Sequence, residues 1–390
     1  VLRIGHPARV DEKIIQRTLD AKILAHPSYK EYKKLRKAAE EYRRKANKFK
    51  RNFGHAEREK RKKNYNEAGK CQAEARQLYD YMTHSILGSC QVIACTLVGA
   101  ASNLLKRKVF GVVFLDEAAQ GLEPATWIPI MKAEKVVLAG DHYQLPPTIK
   151  SREAAKGLQY TLFEKAISNQ PEAAQLLSIQ YRMTAQIMGF SNLAFYDNKL
   201  IAAANTQNHY LEEGESSLAF IDTAGSGFLE FRDRETLSIS NKEEAFMLLT
   251  LLKDLLKRIG INKNESQAWQ IGLIAPYSAQ VRLIKEMVAL NPEWVFLKQL
   301  DQNLTISTVD GFQGQERDII LISLTRSNEQ GEIGFLADTR RMNVALTRAK
   351  RKLIVLGDSA TIGNNAFYQS FLDYVQGQGA YHSVYEFMDQ

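Results

Sequence analysis

Cysteine is nearly missing from this chain, with three in 390 residues: Cys71, Cys90 and Cys95. Neither their number nor their spacing suits a disulfide framework or a structural zinc site. Cys95 sits in the apolar run Val92-Ile93-Ala94-Cys95 and is expected to be a small buried hydrophobe. A reducing, intracellular compartment fits, whether cytoplasmic, nuclear or, in a bacterium, nucleoid-associated. Long apolar runs are absent too. No stretch approaches the roughly 18 apolar residues of a membrane span and no signal-peptide pattern opens the sequence, so no membrane is expected among its partners. Solenoid-period repeats are lacking, and so are low-complexity tracts outside one basic region. The chain opens on Val1 without an initiator Met, from which further sequence upstream is expected.

What is present is an ordinary globular composition, 45% hydrophobic and 25% charged, in a chain long enough for two or three domains. The net charge of +8 makes an anionic partner plausible, nucleic acid first. That charge is concentrated. Between Lys30 and Lys63 there are sixteen Lys/Arg against five Glu, an excess of eleven, so the rest of the chain sums to about −3 (+8 − 11). Across Ser28–Ser85 tyrosines and alanines recur at helical spacing, and Gly54 interrupts the pattern, which predicts two antiparallel helices inserted into a larger body. Their basic face is either solvated surface or a nucleic-acid contact.

Val112-Val113-Phe114-Leu115 reads as a strand buried on both faces, and it ends in Asp116-Glu117. A second short strand, Lys135–Ala139, ends in Gly140-Asp141-His142-Tyr143-Gln144-Leu145-Pro146-Pro147. Ligands of open α/β sheets bind at such carboxyl ends. Two adjacent acids there suit phosphoryl transfer, one holding Mg²⁺ and the other polarising a water, although a solvated acidic turn would look the same. Gln144 is placed to hold that water or sense a terminal phosphate, with Asp141 in support. The turn-rich stretch from Ser168 to Gln175 reads as a domain boundary. Beyond it strand candidates at 176–179, 218–221, 271–275, 305–309, 319–324 and 353–356 alternate with helical patterns at 243–258 and 279–290, the sign of a second, mainly parallel α/β unit. Arg182 and Arg348, both in this half, are the guanidinium groups best placed to meet phosphate. A site using them together with the acidic pair is therefore expected to span two domains and to open or close with them.

Six stretches in this order resemble the motifs of superfamily 1 helicases: the acidic strand through Gln120, Gly140–Pro147, Gln180-Tyr181-Arg182-Met183, Ala275-Pro276-Tyr277, Val309–Glu316 and Arg340–Lys350. They look most like the Upf1-like branch, which holds the immunoglobulin mu-binding protein 2 type helicases with the Dna2 and senataxin relatives. The match runs from Gly5-His6-Pro7-Ala8-Arg9 to about Asp358. The resemblance implies an α/β fold of two RecA-like parallel-sheet domains, the first incomplete at its N-terminus: 1–27 with 86–167, a basic two-helix insertion at 28–85, and 168–390. It implies ATP and Mg²⁺ as cofactors, with Asp116 on the metal, Glu117 as the base, and Gln144, Arg182 and Arg348 around the terminal phosphate. Tyr181 would stack on adenine, and Gly314 and Glu316 would approach ribose or phosphates. Thr96, Pro276, Tyr277, Thr308 and Val309 would line a single-strand surface, though Tyr181 and Tyr277 read by themselves also suit a core.

The implied function is an ATP-dependent helicase or translocase on single-stranded DNA or RNA, moving 5′ to 3′, as a monomer with regulatory protein partners. The alternative is a non-catalytic nucleic-acid-binding or regulatory module on a helicase fold. No acid or cysteine cluster suggests an attached nuclease. One departure stands out: no G-x-x-x-x-G-K-[ST] loop occurs in the sequence. The chain is thus expected to be a C-terminal portion of a longer motor, inactive or nearly so in isolation.

Overall fold

The computed structural model describes residues 1–5, 11–48, 54–212, 214–260 and 269–388. The part of the expected opening turn at His6 and Pro7, and positions 49–53 of the basic stretch, lie outside the described residues. Contacts divide the chain into two compact units, Val1–Leu115 with Gly121–Val137, and Asp116–Gln120 with Leu138–Gln390. The polar stretch at 168–175 lies inside the second of these.

In the first unit β1 (Leu2–Arg3) pairs in parallel with β2 (Ile93–Ala94) over a small core of Leu2, Ile23, Met82 and Leu105, with α1 (Leu19–Leu24) alongside. The basic insertion is two helices, α2 (Tyr29–Asn47) and α3 (His55–Ser89), and Gly54 is the N-cap of the second. They run antiparallel, since Tyr32 meets Tyr79 (ring centroids 5.7 Å apart) while the Tyr65 hydroxyl donates to Asn47 (2.5 Å). Ala39 and Ala46 on one helix and Ala68 and Ala75 on the other are buried. Each pair is spaced seven residues apart, so small side chains recur along one seam and let the backbones approach. The Lys and Arg side chains of the hairpin are left exposed around it.

β3 (Phe110–Leu115) and β4 (Ala133–Leu138) form a two-stranded sheet, with α4 (Glu123–Ile130) between them in sequence. Unlike the interior strand that its apolar run predicts, β3 is not buried on both faces, and Phe114 is 74% exposed. A strand with one partner is covered only where something else packs on it, and among the described residues only Leu115 of β3 is buried. Cys95 is likewise exposed rather than buried, and so is Ala94, the strand residue before it, since β2 is only two residues long with a single partner strand.

The second unit begins with α5 (Arg152–Leu158) and α6 (Leu162–Asn169), the latter closed by a capping box between Thr161 and Glu164. It continues through β5 (Ile179–Gln180), α7 (Ala185–Phe195), β6 (Ile201–Ala202), β7 (Leu218–Asp222), the hairpin β8 (Phe231–Arg232) and β9 (Ile239–Ser240), and α8 (Lys242–Arg258). Then come β10 (Ile271–Ala275), α9 (Ser278–Leu290), β11 (Leu304–Thr308), β12 (Arg317–Ser323), α10 (Thr339–Leu346), β13 (Ala349–Gly357), α11 (Ser359–Ile362), α12 (Ala366–Gly377) and β14 (Tyr381–Ser383). Six strands make one parallel sheet in the order β11-β10-β12-β13-β7-β14. Strand side chains alternate between faces, and the cores follow that alternation. Leu218, Phe220, Ile320, Ile322, Leu353 and Val355 pack with α7, α10 and α12, while Ala219, Ile221, Ile319, Leu321, Ile354 and Leu356 pack with α8 and α9. Coverage on both sides is why these strands read as unbroken apolar runs.

Candidate active site

Asp116 and Glu117 follow β3 directly and are exposed. Glu117 has a left-handed backbone (φ 52°), a conformation that costs a non-glycine residue about 1 kcal/mol or more and is found at functional turns. Its carboxylate accepts from Gln120 Nε2 at 2.5 Å, and its N–H donates to Asp116 Oδ1 at 3.1 Å. The loop after β4 lies against this turn. Ala118 N–H donates to the Ala139 carbonyl (2.8 Å), and a Cβ on Gly140 would meet the backbone nitrogens of Ala119 and Ala118 at 3.0 and 3.1 Å. Gly140 is therefore what lets the acidic turn and the glutamine loop sit together.

Within that loop Asp141 is an anchor. Its Oδ2 accepts from Gln144 Nε2 (2.9 Å) and from the Tyr196 hydroxyl (2.5 Å) at the end of α7. Burial, then the nearby Asp141 charge, push the Tyr196 phenol far above its ordinary value, so it stays neutral and keeps the proton it donates to Asp141. Asn343 of α10 completes the tie, donating to the Tyr143 carbonyl (2.9 Å) and to Tyr196 (3.2 Å). Tyr196 carries no motif spacing; the Asp141 partner is what marks it.

Arg348 is buried, and its Nη2 donates to Gln144 Oε1 at 3.2 Å. It also donates to the carbonyls of Val344 (2.9 Å) and Gln315 (3.3 Å). Burial lowers the guanidinium to about 10, with the like charge of Arg182 adding to the effect and Glu117 and Glu316 opposing it. It stays charged at neutral pH. Arg182 donates to Glu316 (2.7 Å) and to the Thr347 carbonyl (3.1 Å), and Lys350 pairs with the other oxygen of Glu316 at 2.9 Å. Burial works to raise the Glu316 carboxyl, but Lys350 and Arg182 together hold it below the usual carboxylate range. Glu316 thus spaces two cations apart, a role that sequence spacing did not reveal.

The second unit accordingly brings together Asp116, Glu117, Gln144, Arg182, Glu316 and Arg348. Tyr181 is 70% exposed, so it is not a core aromatic. Gly314 is exposed with φ 72°, a position that favours glycine.

The expected strand-binding residues are less uniform. Pro276 and Thr308 are half-buried and Thr96 is exposed, its Oγ1 accepting from Gly99 N–H (3.1 Å) in the first unit. Tyr277 and Val309 are buried, at 3% and 5% exposure, so neither offers a side-chain face to a strand. The Tyr277 ring lies under Phe335, and its hydroxyl accepts from Arg326 (3.2 Å) and from Phe335 N–H (3.1 Å). Pro276, Thr308 and Ser323 sit at the carboxyl edge of the parallel sheet, Glu316 and Arg348 at its amino edge. One strand length, roughly 20 Å, separates the two edges.

The donor set can be tested against a divalent cation. Among the described residues there is no cluster of three or more His, Cys, Asp or Glu able to hold a metal by themselves. Mg²⁺ commonly binds through one or two carboxylates completed by substrate phosphates and water, and the exposed pair Asp116 and Glu117 fits that mode.

Two family models, each described as an AAA domain, match residues 1–152 and 158–360. The DNA-binding protein SMUBP-2 of Rattus norvegicus is 35% identical over all of this chain and 39% of its own length. The chain belongs to the Upf1-like branch of the superfamily 1 helicases. An uncharacterized ATP-dependent helicase of Methanocaldococcus jannaschii is 33% identical over 96% of this chain and 59% of its own length. The ATP-dependent helicase NAM7 of Saccharomyces cerevisiae is 35% identical over 75% of this chain and 30% of its own length. This chain spans about two fifths of the SMUBP-2 length. Among its described residues, no helix is long and apolar enough to cross a membrane.

Proposed function

We propose that the chain is the part of an ATP-dependent helicase or translocase that completes the nucleotide site and carries the second half of the strand-binding surface. In this reading Asp116 takes the Mg²⁺ of Mg·ATP, which neutralises phosphate charge. Glu117 accepts the proton of the attacking water, held in its turn by Gln120. Gln144 orients that water, and Arg348 and Arg182 stabilise the charge that grows on the transferred phosphoryl group. Tyr181 offers its exposed ring to the adenine, and Gly314 lets the backbone come close to the sugar or phosphates. Asp141, Tyr196 and Asn343 are positioning residues, keeping Gln144 against Arg348.

The observation that supports this most is the bond from buried Arg348 to Gln144, which joins the glutamine loop to the motif that follows α10. Hydrolysis that disturbs this bond would shift α10 and β13, and with them the sheet whose far edge carries Thr308 and Pro276. Movement of lobes divided near residue 168, against a strand running 5′ to 3′, completes the proposal. It places the protein inside the cell, working on single-stranded DNA or RNA as a monomer open to regulatory partners. The test is strand-stimulated ATP hydrolysis by the full-length protein, with displacement assays on duplexes carrying a 5′ or a 3′ tail. Stimulation and displacement from the 5′ tail are expected; hydrolysis indifferent to single strands would refute the motor reading.

A further inference from the structure

With Tyr277 buried, an aromatic face for a base has to come from elsewhere in the second unit. Phe335 is 58% exposed and lies directly over Tyr277, with ring centroids 5.3 Å apart. Its placement is built rather than incidental. Gly334 has φ 54°, and a Cβ there would collide with the Tyr277 hydroxyl and the Arg326 guanidinium. Only a residue without a side chain lets the segment lie this close and turn Phe335 outward. On the other side Leu336 is buried in the core, its carbonyl accepting from the Tyr368 hydroxyl at 2.9 Å. Upstream, Asn328 and Glu332 close the loop with reciprocal bonds of 2.9 Å, and Ile333 packs inward against the core. The ring is held from both sides.

Its surroundings point to a ligand class. Arg341 lies 5.9 Å from the Phe335 ring centroid and also reaches Asp338 (3.2 Å) and Asp310 (3.6 Å), two residues after Thr308. Phe335 is thus tied through Arg341 to the loop that follows β11, on the sheet edge that carries Thr308 and Pro276. Arg340 and Arg341 share Asp338, and Arg341 also meets Asp310, so two cations stand against two acids here and the place offers a π-face without surplus positive charge for a phosphate. A nucleobase suits that chemistry, because base stacking on an aromatic ring tolerates any sequence.

Resting on the strand-binding reading above, we propose that Phe335, supported by Tyr277 and Gly334, is the stacking platform for a base of the bound single strand. The test uses the full-length protein and labelled single-stranded oligonucleotides, one normal and one fully abasic, with binding followed by anisotropy. Phe335→Ala is expected to weaken binding of the normal strand by about fivefold to a hundredfold and to leave the abasic strand unaffected. Phe335→Trp should restore the normal affinity, and the salt dependence should match that of the unaltered protein, since the phosphates are held as before. Equal affinity of Phe335→Ala and the unaltered protein for the normal strand would overturn the proposal. So would an equal loss on the abasic strand, which would mark a role in shape rather than stacking. If the unaltered protein bound neither strand, the strand-binding reading itself would fall.

Discussion

Changing Glu244 to Gln should flatten the pH dependence of stability. Glu244 is completely buried in the first turn of α8. Its Oε1 accepts from the Ser323 hydroxyl (2.7 Å) and Thr325 N–H (2.9 Å), while its Oε2 has no partner among the described residues. Burial, partly offset by the Thr325 and Ser323 bonds, raises its pKa from the usual 4.5 to about 7. The folded protein therefore holds a proton on Glu244 that the unfolded chain has released, so stability is fully present below pH 4.5 and is lost as pH rises through about 7. A carboxyl raised this far contributes about 3 kcal/mol between the two limits, since a tenfold change in proton affinity is worth about 1.4 kcal/mol. Glutamine keeps the Oε1 acceptor but cannot ionise. Urea denaturation of the unaltered protein and of Glu244→Gln from pH 5 to pH 9 should give a difference in unfolding free energy that grows in favour of the variant by about that amount. A difference that does not change with pH would show that Glu244 is not buried as a neutral acid.

Gly272 in β10 faces Phe312, and an added Cβ would lie 2.7 Å from its ring and 2.5 Å from Ile320 Cδ1. Gly272→Ala should destabilise the protein by about 1–3 kcal/mol through overpacking, read as a lower urea midpoint. Replacing several exposed basic residues of the hairpin, such as Lys33, Lys37, Arg44 and Lys62, by Gln should weaken strand binding. Its salt dependence should become shallower by about one unit of slope for each phosphate no longer neutralised. An unchanged slope would mean that those side chains are only solvated.

Where a residue's environment depends on its near neighbours in sequence, the sequence alone was a good guide. The strands at 218–221, 271–275 and 353–356 form as expected because unbroken apolar runs need cover on both faces, and α3 begins directly after Gly54, its N-cap, where the helical pattern resumes. The acidic pair, Gln144 and the two arginines were legible as residue types suited to phosphate chemistry. What distant partners decide was not legible. Tyr277 and Val309 were expected on a strand-binding surface, and Tyr277 is buried because Gly334 and Phe335 fold over it from 58 residues downstream. β3 has the composition of an interior strand and yet is largely exposed, since hydropathy records what a strand could bury and not what packs on it. Asn343 was legible as a polar residue of the Arg340–Lys350 stretch, but Tyr196 became visible only through the bond it makes to Asp141.

If Glu117 is the base of an ATP site completed by Gln144, Arg182 and Arg348, then Glu117→Gln in the full-length protein should separate nucleotide binding from turnover. Glutamine preserves shape and removes the proton acceptor, so nucleotide affinity should stay within a few fold while strand-stimulated turnover falls by about 10²–10⁴. Turnover unchanged in Glu117→Gln would mean that Glu117 does not take the proton of the attacking water.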